Sequence, residues 1–492
     1  MISDASRVVK NSIWVFSAMI SAKAANVIGF ILISRFGGVD KAGIFSLVTI
    51  YLLILSSVII GLDELVTRQI ARDVTQAKPY FSAYLFLRIV IGGVFYLLFV
   101  LVSHVLNYPA LTVRAVLWFG LCLIPDGVML VSQAVLSAFE QYRLAFFSGL
   151  ITGAVRIFGI YGLVMAGYGI VEIGQVWLLG SVLGALIVFP AAIHRAGGLV
   201  LTPDWRAVIR WQEMRLNIPF FLISLLLTLQ YQIDVIILSK LQGDVFLGLY
   251  SAVTTVFFSA QLIPQAYRAA VYPLMVRLYT ENAQLMVKVY RISTVSLGIL
   301  VFPMVVGLVL LGPQVLEWIY SPLFAPAGSA LQIIVIALVF LFLNIPNSRV
   351  VLIYEKQNMV PALILFCLTL NIVLNLILIP DYNIQGAAIA RVITEGVFYC
   401  VMLLIAIRLV GYHQFLEDLL LPLLASGLMG LVVWPLHAQA LWLPILAGVV
   451  SYALILAILV QFSKGYKEIV VEIVRALWGV VKGMMNHSSG LA

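Results

Sequence analysis

The chain has 492 residues, of which 63% are hydrophobic and only 10% are charged, and its mean hydropathy is +1.11. An ordinary globular chain carries about 25% charged residues, so this composition excludes a water-soluble fold and indicates an integral membrane protein. The 29 lysines and arginines exceed the 21 acidic residues and give a net charge of +8. In a membrane protein this excess reports orientation, and no nucleic-acid partner is expected.

Fourteen apolar runs predict fourteen transmembrane helices, since each crossing needs roughly 20 apolar residues. The runs are continuous and do not alternate in ten-residue segments, which favours helices over a β-barrel. The predicted spans are 11–33, 42–62, 81–103, 114–138, 145–166, 171–193, 215–238, 248–270, 291–311, 328–347, 359–379, 384–408, 416–437 and 441–462. Three cysteines lie in such runs and are expected to be buried packing residues: Cys122, Cys367 and Cys400.

The distribution of basic residues predicts the orientation. With the N-terminus in the cytoplasm, most lysines and arginines outside the spans fall on the inner side, and only four fall on the outer side: Arg35, Lys41, Arg114 and Lys240. The positive-inside rule therefore predicts a multi-pass protein of the cytoplasmic (inner) membrane with an even number of spans and both termini in the cytoplasm.

An internal repeat gives the strongest organisational signal. Residues 34–49, SRFGGVDKAGIFSLVT, align without gaps on residues 239–254, SKLQGDVFLGLYSAVT, and six of the sixteen pairs are identical. Both segments join an odd-numbered span to an even-numbered span on the outer side, so the repeat is parallel. The expected fold is all-α and integral to the membrane, with two six-helix lobes and two appended helices.

The domain organisation follows from this repeat. The predicted boundaries are 1–193 for the N-lobe (spans 1–6), 194–214 for a cytoplasmic inter-lobe linker, 215–410 for the C-lobe (spans 7–12), 411–463 for spans 13 and 14, 464–486 for a cytoplasmic amphipathic helix and 487–492 for a polar tail. Two lobes that rock about a central site are typical of transporters.

Short motifs occur in order along nearly the whole chain. They are Asn11-Ser12-x-Trp14, Arg35-Phe36-Gly37, Gly43-x-Phe45-Ser46, Gly61 with Arg68, Pro219, Asp234-Val235-Ile236-x-Leu238, Gly248-x-Tyr250-Ser251-Ala252, Tyr320-Ser321-Pro322-x-Phe324-Ala325-Pro326-Ala327, and Asn371 to Pro380 followed by Gly386-Ala387-Ala388. Because these motifs occur in this order and at this spacing, the chain resembles polysaccharide and oligosaccharide flippases of the Wzx type. These flippases belong to the multidrug/oligosaccharidyl-lipid/polysaccharide (MOP) exporter superfamily.

The resemblance implies a fold and a function. The expected fold is the MOP-type transporter fold, with two lobes around a central cavity and alternating access. The expected function is to move a polyprenyl-diphosphate-linked oligosaccharide from the inner to the outer leaflet for cell-surface polysaccharide synthesis. The expected partners are this lipid-linked oligosaccharide and the membrane lipids, and other polysaccharide-assembly proteins are candidates. A monomer is compatible with the sequence, which leaves the oligomeric state open.

Basic residues inside the spans are candidates for the substrate head group, because a diphosphate crosses hydrocarbon only if its charge is met. Lys23, near the middle of span 1 with Asn26 on the same helix face, is the first candidate, and Arg156 on span 5 is the second. Arg88 on span 3 is also assigned to the cavity, with snorkelling to the inner surface as the favoured alternative. Arg391 on span 12 has Glu395 at i+4, and an internal ion pair is favoured there.

Polar residues on spans 7 and 8 complete the predicted substrate-binding set. They recur at helical spacing and comprise Gln230, Gln261, Gln265 and Arg268. The alternative is interhelical hydrogen bonding, which fits Asn371 and Asn375 on span 11 better.

Ion coupling or charge balance is assigned to Asp126, Asp234, Arg391 and Glu395. Asp126 follows Pro125 on span 4 and either binds a coupling proton or sodium ion or neutralises Lys23 or Arg156. No cofactor beyond such an ion is expected, and no metal site.

Two other functions compete with the flippase. An ion-coupled multidrug or organic-cation antiporter of the same superfamily would depend more on acids than on bases. A polysaccharide polymerase or ligase would need a sizeable outward domain, whereas the longest outer loop predicted here, Gly312 to Ala327, is short. The chain is therefore not expected to be an enzyme.

Overall fold

The computed structural model describes residues 14, 17, 21, 24–57, 60–200, 211–412, 414–461 and 466–468, and all regular secondary structure within them is helical. In chain order the helices are α1 (Ala24–Gly37), α2 (Val39–Ser57), α3 (Ile60–Arg72), α4 (Ala77–Val105), α5 (Ala110–Gly120), α6 (Leu123–Ala138), α7 (Tyr142–Met165), α8 (Ile170–Ala196), α9 (Trp211–Leu241), α10 (Gly243–Ala260), α11 (Leu262–Glu281), α12 (Ala283–Ile319), α13 (Gly328–Ile334), α14 (Ile336–Ile353), α15 (Val360–Val410), α16 (Phe415–Val433) and α17 (Trp442–Gln461). Short 3₁₀ segments are Val74–Gln76, Pro322–Ala327, Gln357–Met359 and Trp434–Leu436.

Among the described residues, twelve helical segments are long and apolar enough to cross a membrane. This confirms the predicted all-α, multi-pass architecture, whereas the count of fourteen spans stays a prediction. Much of the predicted first span lies outside the described residues, and α15 is long enough to contain predicted spans 11 and 12.

The 51-residue helix α15 consists of two helical segments. Its backbone leaves helical geometry at Asn383, with φ 49° and ψ −128°. A Cβ placed on Gly386 would lie 2.4 Å from the carbonyl oxygen of Leu378, although eight residues span about 12 Å along a straight helix. The chain therefore turns sharply here, between predicted spans 11 and 12.

Two predicted boundaries differ from the structure. The outer loop predicted from Gly312 to Ala327 is largely helical, because α12 continues to Ile319 and a 3₁₀ segment follows. Pro313 does not end α12, because the carbonyl of Val309, which loses its helical donor to the proline, accepts a hydrogen bond from Gln332 Nε2 at 2.8 Å. Predicted span 4 is broken into α5 and α6.

The two copies of the repeat have the same backbone geometry. Gly38 and Gly243 have φ values of 98° and 81°, which glycine adopts without steric penalty, and each separates two helices. Five residues further on, α2 and α10 come into backbone contact. A Cβ on Gly43 would lie 2.0 Å from the Asp244 carbonyl oxygen, and one on Gly248 would lie 2.0 Å from that of Val39. Glycine is therefore required at both crossing positions.

The chain divides into two compact units, which we call the N-terminal unit (residues 1–251 with 319–323) and the C-terminal unit (residues 252–318 with 324–492). In the N-terminal unit, α3, α4, α6 and α8 bury a shared apolar core. In the C-terminal unit, α16 and α17 pack on α12, and Arg291 of α12 makes two 2.7 Å hydrogen bonds to the Asp418 carboxylate of α16. The predicted lobe boundaries stay predictions. Residues 201–210 of the predicted linker, and all of the predicted amphipathic helix except residues 466–468, lie outside the described residues.

The cysteine prediction is right in two cases and wrong in one. Cys122 and Cys367 are buried, whereas Cys400 is exposed on α15. An apolar face of a membrane helix can contact lipid as readily as protein, so an apolar run alone does not predict burial.

Candidate functional site

Arg156 of α7 is held by three groups of the N-terminal unit. Its Nη2 donates a 2.7 Å hydrogen bond to Ser181 Oγ and lies 3.7 Å from Asp126 Oδ1, and its guanidinium lies 4.1 Å from the ring centroid of Trp177. Of the two alternatives for Asp126, neutralisation of Arg156 therefore has a geometric basis. The distance exceeds that of a hydrogen bond, so the pair is an ion pair only.

Small residues bring α7 and α8 close enough to form this cluster. A Cβ on Gly184 would lie 2.2 Å from Thr152 Oγ1, and one on Gly180 would lie 3.1 Å from Arg156 Cγ. The hydroxyls of Ser148 and Thr152 donate to the carbonyls of Gly184 and Gly180 at 2.8 and 3.2 Å. Small residues spaced by four are the pattern that lets membrane helices approach closely.

Arg88 of α4 forms an ion pair with Asp63 of α3. Its side chain is only 4% exposed, so the favoured alternative for Arg88, snorkelling to the surface, is wrong. Asp63 lies one residue beyond the predicted end of span 2, and sequence reasoning did not single it out. A nearby carboxylate allows an arginine to stay buried, because it compensates the charge that would otherwise need water.

Asp234 of α9 is fully buried and accepts a 2.6 Å hydrogen bond from the Tyr250 hydroxyl of α10. Gln230, one turn before it, is also buried. The structure thus places two predicted residues together in the N-terminal unit and adds Tyr250, which the repeat aligns with Phe45.

The predicted polar stripe of span 8 lies across a helix break. Gln261 is the turn residue between α10 and α11, and Gln265 and Arg268 follow on α11. Gln261 and Gln265 are half-buried, and Arg268 is exposed.

Arg349 of α14 lies beside this stripe in the C-terminal unit. Its guanidinium lies 5.1 Å from the ring centroid of Tyr272 on α11. Arg268 lies near enough for its positive charge to repel that of Arg349. In the described part of the chain, neither arginine has a carboxylate partner, and Arg349 Nε is buried without an acceptor. We call Arg268, Arg349 and Tyr272 the arginine pair with its tyrosine. Sequence reasoning had placed Arg349 among the inner-side charges that set orientation.

Arg391 and Glu395 confirm the predicted ion pair, with a 3.8 Å contact and almost complete burial in the C-terminal unit. In the same helix, Asn371 donates to Thr394 Oγ1 at 3.2 Å, and Asn375 donates to Asn371 Oδ1 at 2.8 Å. The Asn371 bond joins the two segments of α15, as expected for interhelical hydrogen bonding, whereas the Asn375 bond lies within the first segment.

Lys23, the first cavity candidate, lies outside the described residues. Asn26 is exposed on α1, whereas its neighbours Ala25 and Gly29 are buried. Ala25 packs against α7, since a Cβ on Gly153 would lie 3.2 Å from the Ala25 Cβ. No group of three or more potential metal ligands is found within the described ranges.

Comparison with known proteins finds a family, a relative and several solved structures to which this chain is similar. A family model described as "Polysaccharide biosynthesis protein" matches residues 32–328. An uncharacterised membrane protein of Methanocaldococcus jannaschii is 24% identical over 312 residues, covering 61% of this chain and 72% of that protein.

Solved structures with a similar fold include the lipid II flippase MurJ in an inward closed conformation, with a TM-score of 0.69, 14% identity, and coverage of 92% of this chain and 99% of that chain. They also include an inward-facing multidrug resistance MATE family transporter of the MOP superfamily, with a TM-score of 0.66, 15% identity, and coverage of 82% and 98%. At this identity the likeness is one of fold, and it confirms the predicted MOP-type fold.

Proposed function

The chain belongs to the family of polysaccharide biosynthesis proteins, and we therefore propose that it is a flippase that moves a polyprenyl-diphosphate-linked oligosaccharide from the inner to the outer leaflet of the cytoplasmic membrane by alternating access. The MOP-type fold supports this proposal, because the lipid II flippase MurJ shares it.

The main support for the proposal is the arginine pair with its tyrosine, Arg268 and Arg349 with Tyr272. Tyr272 lies against the Arg349 guanidinium, and the buried Nε of Arg349 has no acceptor among the described residues. Arg268 adds a second, exposed guanidinium. Two guanidinium groups without a carboxylate suit a diphosphate, whose oxygens accept several charge-assisted hydrogen bonds.

The position of the pair along the helices supports capture from the inner leaflet. Basic residues lie near the C-terminal ends of α11 and α14: Arg277 in the last turns of α11, Lys288 at the start of α12, and Lys356 after α14. By the positive-inside rule this end faces the cytoplasm. A head group synthesised in the cytoplasm would reach the pair from that side.

Four acids of the described helices, each held by a partner, support an anionic substrate over an organic cation. Asp63, Asp126 and Glu395 each lie beside an arginine, and Asp234 is bonded to Tyr250. An organic-cation antiporter would need an acid available to its substrate. That antiporter remains the alternative, and the transport assay below separates the two.

The proposal is tested by flipping in proteoliposomes. A fluorescent polyprenyl-diphosphate disaccharide is incorporated with the full chain, and outer-leaflet label is destroyed with dithionite. Arg349→Gln removes charge-assisted hydrogen bonds worth about 1.5–3 kcal/mol each, so we expect flipping to fall by about 10- to 100-fold. Arg277→Gln is the matched control, because Arg277 is 67% exposed and pairs with Glu281.

Two outcomes would contradict the proposal. Equal flipping by the Arg349→Gln and Arg277→Gln variants would remove the arginine pair from the head-group site. No flipping by the wild type, together with efflux of an organic cation down an ion gradient, would favour the antiporter.

In cells, the deletion should accumulate inner-leaflet lipid-linked oligosaccharide, and Lys23→Ala and Arg156→Ala should rescue it less well than the wild type.

A further inference from the structure

A pocket of about 380 Å³ opens in the C-terminal unit, and its residues belong to none of the groups assigned above. This volume lies in the lower part of the range of small-molecule sites, about 300–1,000 Å³. The pocket is lined by residues of α12, α13 and the 3₁₀ turn that connects α16 to α17: Val309, Leu310, Pro313, Gln314, Gln332, Trp434 and His437.

Each of the two glutamines that line the pocket uses its Nε2 in a hydrogen bond to a backbone carbonyl. Gln332 uses its Nε2 to bond the Val309 carbonyl that Pro313 leaves without a donor, so its Oε1 is not used by this bond. Gln314 directs its Nε2 to the His437 carbonyl at 3.4 Å, and its Oε1 is buried with no hydrogen-bond partner among the described residues. A buried amide oxygen left in this way favours a ligand that donates a hydrogen bond.

His437 contributes a third acceptor. Its Nδ1 lies 2.6 Å from the Trp434 carbonyl oxygen, which can only accept, so Nδ1 carries the proton. In the neutral ring Nε2 is then an acceptor. The bond also ties the imidazole to the turn that carries the Trp434 indole.

These groups define the chemistry of the ligand. Three acceptors call for several O–H or N–H donors, and the lining contains no charged side chain that would compensate an ion. The Trp434 side chain is 64% exposed and offers an aromatic face on which an apolar C–H surface can pack. A pyranose ring combines a C–H face with a rim of hydroxyl donors, and so fits both requirements.

The charge distribution places the pocket on the outer side of the membrane. No lysine or arginine occurs in residues 292–348 or 409–463, which hold all the lining residues. Lys288 and Arg291 lie near the opposite end of α12, and Lys464 follows α17 in the sequence. The positive-inside rule therefore puts this end away from the cytoplasm.

We propose that this pocket is a saccharide-binding site on the outer face, which holds a neutral mono- or disaccharide unit of a glycan. Trp434 stacks on the sugar ring, and the Gln314, Gln332 and His437 acceptors bond its hydroxyls. The site goes beyond the proposed transport, because binding of a free saccharide here requires no translocation.

The test is glycan binding by the purified full chain. The fluorescently labelled protein, in detergent, is applied to an array of bacterial surface oligosaccharides. We expect binding to a subset of neutral glycans, and a loss of at least tenfold in Trp434→Ala and in Gln314→Ala. Trp442→Ala is the matched control, because Trp442 is 66% exposed at the same end and does not line the pocket.

The control separates a binding role from membrane anchoring, since exposed tryptophans also anchor proteins at the membrane surface. Equal losses in the Trp434 and Trp442 variants, or no loss in either, would overturn the proposal. So would the absence of any glycan binding by the wild type. The last result, found together with normal flipping in proteoliposomes, would refute the saccharide site and leave the proposed transport function standing. Gln314→Ala keeps the test decisive if Trp434→Ala does not fold.

Discussion

Replacing Gly248 by alanine tests whether the backbone contact between α2 and α10 determines how the repeat packs. The new Cβ would lie 2.0 Å from the Val39 carbonyl oxygen, whereas such carbon–oxygen contacts are normally no closer than about 3.3 Å. The two helices would therefore have to separate by about 1.3 Å at their crossing. Overpacking typically costs about 1–3 kcal/mol. Because the obstructing atom is backbone and cannot rotate away, we expect about 3 kcal/mol here.

Gly307→Ala on α12 is the matched control. A Cβ at Gly307 would meet nothing within 4 Å, and alanine favours a helix over glycine by about 0.8–1 kcal/mol. The assay is thermal unfolding of the purified chain, followed by tryptophan fluorescence. We expect Gly248→Ala to unfold several degrees below the wild type and Gly307→Ala to unfold at or slightly above it. An unfolding temperature of Gly248→Ala that equals or exceeds that of Gly307→Ala would refute the steric reasoning.

Three further predictions concern single side chains. Asp418→Asn should lower the free energy of unfolding by about 1.5–3 kcal/mol, because it weakens both charge-assisted bonds from Arg291. Proteases should then cleave α16 more readily, and an unchanged rate of proteolysis would contradict this prediction. Asn383→Gly should raise the unfolding temperature, because a positive φ of 49° strains a residue with a side chain by about 1–3 kcal/mol, whereas Asn383→Val should lower it. Hydrogen bonds from the hydroxyl and backbone N–H of Thr75 hold the pKa of the exposed Asp73 carboxyl below its usual range. These bonds therefore stabilise the fold fully at a pH above the ordinary aspartate pKa, and their contribution is lost as the pH falls through the lowered pKa of Asp73. A carboxyl-carbon NMR titration should show a higher pKa in Thr75→Val, and an unchanged pKa would contradict the assignment.

The features predicted well from the sequence are those that depend on residues close together in the chain. Continuous apolar runs predicted the helices, since the bilayer leaves no other way to satisfy the backbone of such segments. The i,i+4 spacing predicted the Arg391–Glu395 pair, because helix geometry alone brings these positions together. The gapless repeat predicted equivalent turns, and the matching glycines Gly38 and Gly243 provide them.

The features that sequence reasoning missed depend on which helix lies beside which. Helical periodicity places Arg88 on one face of α4 but does not say that Asp63 of α3 lies opposite. The same limit applies to Trp177 beneath Arg156 and to Tyr272 beneath Arg349. To predict a contact between distant segments, a pattern in the sequence must mark both partners. An apolar chain has too few polar residues to form such a pattern.

The two copies of the repeat differ in one buried contact. Continued toward the N-terminus without a gap, the alignment pairs Gly29 with Asp234, just as it pairs Phe45 with Tyr250. A Cβ on Gly29 would lie 3.9 Å from the Phe45 ring, so in the first copy the two positions meet without polar side chains. In the second copy the Tyr250 hydroxyl bonds the Asp234 carboxylate. Both positions of the contact thus differ between the copies, although the glycine turns have the same backbone geometry. The second copy therefore carries a buried carboxylate at this contact and the first copy carries none, so the two copies share a backbone geometry but differ in electrostatics.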